Sequence, residues 1–328
     1  MDPTCVACSA PLGGADRFCE QCGAAVNRPA MPPAAGCRRC GAPTEAVGED
    51  GYCTVCGVRA RPPPARDELD LGSAAAVSEQ GRTHRRNEDA FHLALAGEHQ
   101  AVAVVCDGIS TALSGDLAAR VAADAAAAAL IAAVRNGATP EALADATHAA
   151  VQAAGDAVQQ LPWTTRSDLA LPSCTLVSAV VSDGAIVVGW VGDSRAYWLA
   201  AGAERQLTID DSWATEQVVE GLLSPEQAAA DRRAHAITRW VGADDHGDGP
   251  RVTTLRPDLP GRLVLCSDGL WNYAPKPSDL AALLEPLGPS AAPAAAAGAL
   301  AAAAMERGGR DDVTVAVIDV QLQRGPQP

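Results

Sequence analysis

Carboxylates placed at the ends of apolar runs are the residues of this 328-residue chain best suited to chemistry. They are Asp107 after "AVAVVC", Asp268 after "RLVLCS", Asp193 in the turn after "AIVVGWVG", Glu88 and Asp89 before the first clear strand, and Asp311 and Asp312 before the last strand. A single Asp-Gly pair is often only a turn former. Each of these apolar runs is expected to be interior, however, so its end delivers a carboxylate to an edge of the core. Five such segments together predict one acidic site.

An acidic site of this kind needs cations. Carboxylates about 5 Å apart repel each other by roughly 3 kcal/mol per pair at an effective dielectric near 20. Oxygen ligands without a nearby HxxH or HExxH motif favour a hard ion such as Mg²⁺ or Mn²⁺. A glycine follows both Asp107 and Asp268, which lets a backbone carbonyl approach a metal. The sequence therefore predicts a two-metal site.

A second group of candidate ligands lies near the start of the chain, in four CxxC pairs. These are Cys5 and Cys8, Cys19 and Cys22, Cys37 and Cys40, and Cys53 and Cys56. The spacing predicts two short zinc ribbons, each holding one structural Zn²⁺ through four thiolates, and leaves open which pairs share an ion. Metal binding of roughly 10–16 kcal/mol per site would supply most of their folding free energy. Disulfides and a redox CxxC are the alternatives, and neither suits tandem pairs in a chain expected to be cytoplasmic.

The remaining cysteines belong to apolar runs. Cys106, Cys174 and Cys266 each lie in or beside a predicted strand, and no cationic side chain flanks them. They are interpreted as packing residues rather than nucleophiles.

Charge and hydropathy narrow the function classes. Residues 1–66 carry a net charge of +1 and residues 67–328 one of −16. So acidic a region would repel nucleic acid phosphates, and nucleic-acid binding is not expected. The sequence shows no run of about 18 uninterrupted apolar residues and no charged-then-apolar leader, so a cytoplasmic protein that makes no membrane contact is expected.

The order of elements indicates an α+β layered sandwich. Strands alternate with alanine-rich helices near 115–137 and 277–306, a helix at 140–160 and a polar helical segment at 210–240. The strands include "AVAVVCDG" and three in "TLVSAVVSDGAIVVGWVGDSRAYWLA", which two tight turns, Ser-Asp-Gly and Gly-Asp-Ser, are expected to join. The predicted organisation is zinc ribbon 1 at residues 1–26, zinc ribbon 2 at 36–60, a proline-rich linker at 61–72 and a large domain at 73–322.

Five motifs, read in order, resemble those of the metal-dependent protein phosphatases, the type 2C serine/threonine phosphatases. The motifs are "RRNEDA", "VVCDG", "VGWVGDSRAYWL", "LCSDGLWN" and "GGRDDVTVAVI", and "LTIDDSWATEQVVEGLLSPEQA" is similar to the flap segment of the bacterial members. The resemblance covers about residues 73–320. It implies an αββα four-layer sandwich with two Mn²⁺ or Mg²⁺ ions between two central sheets. It also implies in-line hydrolysis by a hydroxide that bridges the two ions.

The resemblance further implies a role for each site residue. Asp107 would bridge both metals, Gly108 would offer its carbonyl to one of them, and Asp268 and Asp311 would complete the other ligand set. Glu88 and Asp89 would hold metal-bound waters, and Asp193 would bind a third, weaker metal.

The chain departs from the family pattern in three places. The family usually places a phosphate-binding arginine five residues before Asp89, where this chain has His84. Side chains alternate along a strand, so Arg86 is expected to lie on the same face as His84 and to substitute for that arginine. Residues 109–111, after Asp107-Gly108, contain no histidine to protonate the leaving oxygen, so water must do so. Asp312 stands where asparagine is common, as an extra acid that the site is expected to tolerate.

The leading hypothesis is a phosphoserine/phosphothreonine protein phosphatase whose zinc ribbons recruit or regulate, with substrates phosphorylated by a bacterial serine/threonine kinase system. The alternative is a phosphoprotein-binding module with weak turnover, because His84 binds phosphate as a cation only when protonated. A zinc-ribbon nucleic-acid protein is a third hypothesis, which the near-zero charge of residues 1–66 disfavours.

Overall fold

A computed structural model describes residues 46, 48, 53–55, 65–97, 99–112, 114–161, 170–242 and 249–322. By internal packing the chain divides into two units, residues 1–64 with 162–164 and residues 65–161 with 165–328. Seven of the eight predicted zinc ligands lie outside the described residues. The eighth, Cys53, is buried.

The second unit contains thirteen strands and seven α-helices among its described residues. In chain order they are β1 (Arg66–Asp70), β2 (Ala74–Glu79), β3 (Asp89–Gly97), β4 (Gln100–Asp107), α1 (Gly115–Arg135), α2 (Pro140–Gln159), β5 (Ser173–Cys174), β6 (Leu176–Ser182), β7 (Ala185–Val191), β8 (Arg195–Leu199), β9 (Arg205–Gln206), α3 (Trp213–Val219), α4 (Pro225–Ala229), β10 (Val241–Gly242), β11 (Arg251–Leu255), β12 (Gly261–Cys266), α5 (Asp268–Trp271), α6 (Pro277–Leu284), α7 (Pro293–Glu306) and β13 (Val313–Val320).

Two antiparallel sheets form the centre of this unit. One has six strands in the order β1-β2-β13-β12-β8-β9, the other has five in the order β11-β7-β6-β4-β3, and β10 and β5 form a separate short pair. One apolar cluster lies between the two large sheets, a second joins the five-stranded sheet to α1 and α2, and a third joins the six-stranded sheet to α5, α6 and α7. The predicted four-layer α+β sandwich is therefore the observed architecture.

Strand β4 shows why the sequence reads as a continuous apolar run. Val102, Val104 and Cys106 belong to the cluster that faces the helices. Ala103 and Val105 belong to the cluster between the sheets. Because both faces of the strand are buried, the usual alternation of apolar and polar residues is lost. The strand then ends at Asp107, at the edge of the core.

Helix α1 meets the length and composition that would let a helix cross a membrane, and it is the one described helix that does so. Its buried alanines and Leu130 pack in the cluster beneath the five-stranded sheet. A helix in the core of a sandwich has the same composition, so the burial explains the apolar sequence. The helix ends at Asn136 and Gly137, whose φ is 73°.

The structure corrects three predicted elements. Residues 66–70 of the predicted linker form β1, a charged edge strand that pairs with β2 along its whole length. The predicted 210–240 helix contains only α3 and α4, because glycine and serine at 221 and 224 interrupt it. The predicted 277–306 helix is likewise divided, with a 3-10 turn at Glu285–Leu287 and Gly288 (φ 77°) between α6 and α7.

The turn at Gly192 also differs from expectation. The Asp183-Gly184 turn joins β6 to β7 as a hairpin within one sheet. The next turn, at Gly192-Asp193, instead carries the chain from β7 in the five-stranded sheet to β8 in the six-stranded sheet. Asp193 is thereby placed between the two sheets.

Candidate metal centre

The structure brings the predicted carboxylates together at one edge of the two central sheets. Asp89, the first residue of β3, is the cross-strand partner of Asp107, the last residue of β4. Asp268 begins α5 directly after β12. Desolvation raises the pKa of Asp107 well above its ordinary value, and the negative charges of neighbouring carboxylates raise it further. These neighbours are Asp89, Asp268, Asp311 and Asp193.

Burial raises the pKa of two further carboxylates of the cluster, those of Asp268 and Asp193. Burial, followed by the charge of Asp311, raises the pKa of Asp268 to about 6, although hydrogen bonds from Asp107 and Asn272 oppose this shift. Burial raises the pKa of Asp193 to about 8, with the charge of Asp268 as the next cause. Both groups are therefore held in a site that disfavours uncompensated negative charge.

These residues fit a centre of hard divalent cations. Carboxylate and carbonyl oxygens are the ligands that Mg²⁺ and Mn²⁺ prefer. Two buried oxygens, Oδ1 of Asp89 and Oδ1 of Asp268, have no hydrogen-bond partner. A buried carboxylate oxygen without a partner is costly, and an ion would supply the missing interaction.

Gly108 is fixed where the chain leaves β4. Its N–H donates to the carbonyl of Glu88 at 3.1 Å. A Cβ at this position would lie 2.4 Å from the carbonyl oxygen of Gly115 and 2.7 Å from that of Glu88. Only glycine fits such an approach. The predicted role of its carbonyl as a metal ligand stays a prediction.

The side chains of Glu88 and Asp89 lie in different environments. Asp89 is buried and accepts a hydrogen bond from the Ser267 hydroxyl at 2.7 Å. Desolvation, followed by the charge of Asp312, raises its pKa well above the ordinary value. The Glu88 carboxylate instead accepts a hydrogen bond from Arg86 Nε at 3.0 Å. Their predicted role as holders of water stays a prediction.

His84 does not lie on a strand, so the alternation argument used for it and Arg86 is wrong. Residues 80–88 form turns and bends. His84 Nδ1 lies 2.9 Å from Asp312 Oδ2, and its Nε2 lies 3.3 Å from Asp311 Oδ1. Burial lowers the pKa of His84, but the hydrogen bond to Asp312 and the nearby carboxylates outweigh burial and leave the pKa raised. The ring thus lies between two carboxylates that favour its protonated form.

Arg86 is also paired with carboxylates. Its Nε donates to Glu88 at 3.0 Å, and its Nη1 lies 3.4 Å from the buried Asp116. Both predicted phosphate-binding residues line an open cavity of about 340 Å³. The other lining residues are Thr83, Arg85, Glu88 and Ser110.

Asp312 has a larger part in the site than the sequence indicated. Its side chain is buried and accepts the N–H groups of Gly81 and Glu88, each at 2.7 Å, in addition to contacting His84. It therefore joins both ends of the basic loop, residues 81–88, to the last strand. Two of the positions that depart from the family pattern, 84 and 312, are in direct contact. In the sequence, this contact was indicated only by the two departures themselves, His84 and Asp312.

Two further residues support the Asp193 turn. Trp271 Nε1 donates to the carbonyl of Asp193 at 2.8 Å. The buried Asp211 carboxylate accepts the N–H of Gly192 at 3.1 Å and Arg251 Nε at 2.7 Å. The base of the 212–238 segment is thereby tied to the turn that carries Asp193. Neither residue could be identified from composition or spacing.

The cysteines of the second unit agree with a packing role. Cys106, Cys174 and Cys266 are fully buried. Desolvation raises the pKa of Cys106 well above its ordinary value, with the neighbouring Cys174 as the next cause. A thiol with a raised pKa is a poor nucleophile.

Comparison with known proteins gives a consistent family. Residues 79–304 match the family model described as protein phosphatase 2C. A serine/threonine phosphatase, stp, of Listeria innocua is 28% identical over 251 residues, covering 75% of this chain and 95% of that protein. PstP of Mycobacterium tuberculosis, a serine/threonine protein phosphatase, is 30% identical over 249 residues, covering 75% of this chain and 44% of that protein. The crystal structure of the M. tuberculosis phosphatase PstP/Ppp superposes with a TM-score of 0.61 at 28% identity, covering 76% of this chain and 98% of that chain.

Proposed function

The chain belongs to the protein phosphatase 2C family, and from this premise we propose that it removes phosphate from phosphoserine and phosphothreonine in proteins. The reaction adds water to a phosphate monoester and releases inorganic phosphate and the free hydroxyl of the side chain. The observation that carries the proposal is the convergence of Asp107, Asp89, Asp268, Asp311 and Asp193, seen in the raised pKa of Asp107.

The same carboxylates are the residues that would hold the metal ions. Asp107, the carbonyl of Gly108, Asp268 and Asp311 are the proposed ligands of two Mn²⁺ or Mg²⁺ ions, and Asp193 is the proposed ligand of a third. When bound, such ions supply the positive charge that activates water and stabilises negative charge on the phosphoryl oxygens.

The chain's own residues hold these ligands in place. Ser267 hydrogen-bonds Asp89, and Asn272 Nδ2 lies 3.2 Å from Asp268 Oδ2, so each carboxylate has one fixed oxygen. Its other oxygen has no partner. The hydrogen bond to one oxygen limits the rotation of each side chain and leaves the second oxygen available to an ion.

We further propose that the four CxxC pairs form two structural zinc sites that recruit a substrate or regulate the phosphatase. The support is their spacing, with ten residues between Cys8 and Cys19 and twelve between Cys40 and Cys53. We also propose a cytoplasmic location and substrates phosphorylated by a bacterial serine/threonine kinase system; the similar serine/threonine phosphatases of Listeria and Mycobacterium motivate the second proposal.

A phosphoprotein-binding role with weak turnover is the second candidate. It is favoured by His84, whose two ring nitrogens already contact Asp311 and Asp312 rather than lying unpaired. Equilibrium binding of a phosphothreonine peptide without release of phosphate in the presence of Mn²⁺ would support this candidate over the first.

The decisive experiment measures Mn²⁺-dependent release of phosphate from a phosphothreonine peptide by the full chain. Asp107→Asn and Asp268→Asn are expected to lower kcat by at least about a hundredfold, because each removes charge from the metal ligands. Asp258→Asn, at an exposed aspartate, is the matched control and should leave kcat unchanged. Equal loss in all three variants, or turnover that ignores metal removal, would overturn the proposal.

A further inference from the structure

The open cavity of about 340 Å³ beside the carboxylate cluster carries an inference about substrate binding. Two of its residues, His84 and Arg86, were predicted to bind phosphate, and a third cation, Arg85, also lines it. The three differ in how far their positive charge is already neutralised within the protein.

A carboxylate faces each of the two ring nitrogens of His84. Nδ1 faces Asp312 at 2.9 Å and Nε2 faces Asp311 at 3.3 Å. Both nitrogens are therefore used, and a substrate anion could reach the ring only by displacing a carboxylate.

Arg86 also pairs with two carboxylates, one of which is buried. It pairs with Glu88 at 3.0 Å and with Asp116 at 3.4 Å, and the side chain of Asp116 is only 4% exposed. Withdrawing the guanidinium toward a substrate would leave a buried carboxylate uncompensated, which is strongly unfavourable. Arg86 therefore belongs to the wall of the cavity.

Arg85 is the exception. Its side chain is exposed, and within the described residues its guanidinium makes no hydrogen bond or ion pair. Its backbone, however, is held, because Asp312 accepts the N–H groups of Gly81 and Glu88 on either side of it. A cation on a fixed loop loses less conformational entropy on binding than one on a mobile loop.

We propose that Arg85 binds the anionic oxygens of the substrate in this cavity. The anion is either the phosphate that is removed or an acidic side chain next to it. The proposal rests on the proposed phosphatase function. It also agrees with the charge of the chain: the net charge is −15, and Arg85 adds to the cleft a side-chain cation that no described carboxylate neutralises, which would attract a phosphorylated substrate. The guanidinium can grip two oxygens at once and stays charged at any working pH.

The test compares Arg85→Gln with Arg82→Gln in the full chain. Arg82 is an exposed arginine of the same loop but does not line the cavity. Arg82→Gln therefore removes the same charge from the loop without changing the cavity. KM and kcat are measured with p-nitrophenyl phosphate and with phosphothreonine peptides that carry either Glu or Ala beside the phosphorylated residue. Binding of the labelled Glu peptide is measured separately by fluorescence anisotropy.

Arg85→Gln is expected to raise KM and Kd by about tenfold or more, as for the loss of a charge-assisted hydrogen-bonded pair. Arg82→Gln should stay within about twofold of the parent. A rise with all substrates identifies the removed phosphate as the anion, and a rise with the Glu peptide alone identifies the acidic side chain. Identical KM and Kd values for Arg85→Gln and the parent would overturn the inference. If the parent released no phosphate, the phosphatase proposal would fail, while anisotropy would still decide the role of Arg85.

Discussion

At the scale of single residues, Asp312 organises the basic loop. One oxygen accepts the N–H of Gly81 and the other accepts the N–H of Glu88, while His84 Nδ1 contacts the second oxygen. A carboxylate offers acceptors on both oxygens, whereas an asparagine at the same position would turn an NH₂ group toward one of these donors. The aspartate, rather than the asparagine common in the family, is thus matched to this loop and to His84.

Asp312→Asn is therefore expected to weaken the loop. One backbone N–H loses its acceptor, so the free energy of unfolding should fall by about 1–3 kcal/mol. Hydrogen exchange at Gly81 or Glu88 should accelerate. The measurements are urea unfolding and amide exchange, with Asp258→Asn as the exposed control. Unchanged exchange at both amides would show that Asp312 does not hold the loop.

The raised carboxylate pKa values predict a pH dependence of stability in the metal-free chain. The pKa of Asp193 is about 8 in the folded state against an ordinary 3.8, and that of Asp268 is about 6. Between about pH 4 and pH 8 the folded chain binds more protons at these groups than the unfolded chain. The contribution of these groups to the free energy of unfolding is therefore largest below about pH 4 and is lost as pH rises to 8. The total loss should be on the order of 8 kcal/mol, because each pKa unit corresponds to about 1.4 kcal/mol.

Urea unfolding of the metal-free protein at pH 5 and pH 8 measures this effect. Asp193→Asn, which cannot ionise, should show a smaller fall than the parent in the same buffers. Added Mn²⁺ should restore stability at pH 8, because a bound ion stabilises the ionised carboxylates. Parallel pH profiles for the parent and Asp193→Asn would contradict the assignment.

At the scale of elements, the departure of the chain from β4 is fixed by close backbone contact. A Cβ on Gly108 would lie 2.4 Å from the carbonyl oxygen of Gly115, the first residue of α1. Neither atom belongs to a flexible side chain, so the strand end and the helix start would have to separate. Asp107 is the neighbouring residue and would move with them.

Gly108→Ala should therefore lower stability by about 2 kcal/mol or more and weaken Mn²⁺ binding. Gly155→Ala is the matched control, because Gly155 lies within α2 and a Cβ there would meet nothing within 4 Å. In a helix this change should be neutral or stabilising by up to about 1 kcal/mol. Thermal unfolding and Mn²⁺ titration by calorimetry compare the two variants. Equal effects at both positions would refute the close-contact argument.

The same scale shows what the sequence could and could not predict. β4 and its terminal Asp107 could be predicted from the sequence, because a short apolar run that ends in Asp-Gly predicts a buried strand with an acidic end. The turn at Gly192, which connects the two sheets, could not be predicted. The alternation of apolar and polar residues indicates the two faces of a strand but not the sheet to which the strand belongs. Strand alternation placed His84 and Arg86 on one face, but residues 84–86 lie in a loop that precedes β3, where alternation does not apply. The role of Asp312 depends on contacts with residues more than two hundred positions away, such as the one with Gly81, which no local pattern encodes.

At the scale of the whole molecule, the two units are expected to be stabilised in different ways. Three apolar clusters and two large sheets stabilise residues 65–322. The predicted acidic site is built entirely from residues within this unit, from Glu88 to Asp312. Hydrolysis of a small substrate should therefore be independent of the CxxC pairs, whereas recognition of a protein substrate would depend on them if they recruit it.

Metal analysis of the full chain separates the two kinds of site. We expect two tightly held zinc ions per chain, with Cys5→Ser lowering the zinc content because thiolate ligands cannot be replaced by a hydroxyl. Cys174→Ala is the matched control, because Cys174 is fully buried in β5 and should leave the zinc content unchanged. Both variants should hydrolyse p-nitrophenyl phosphate like the parent, and Cys5→Ser alone should lose rate on a phosphorylated protein. Zinc content unaffected by Cys5→Ser would exclude that cysteine as a ligand, and loss of small-substrate turnover would mean that the N-terminal cysteines contribute to the phosphatase site itself.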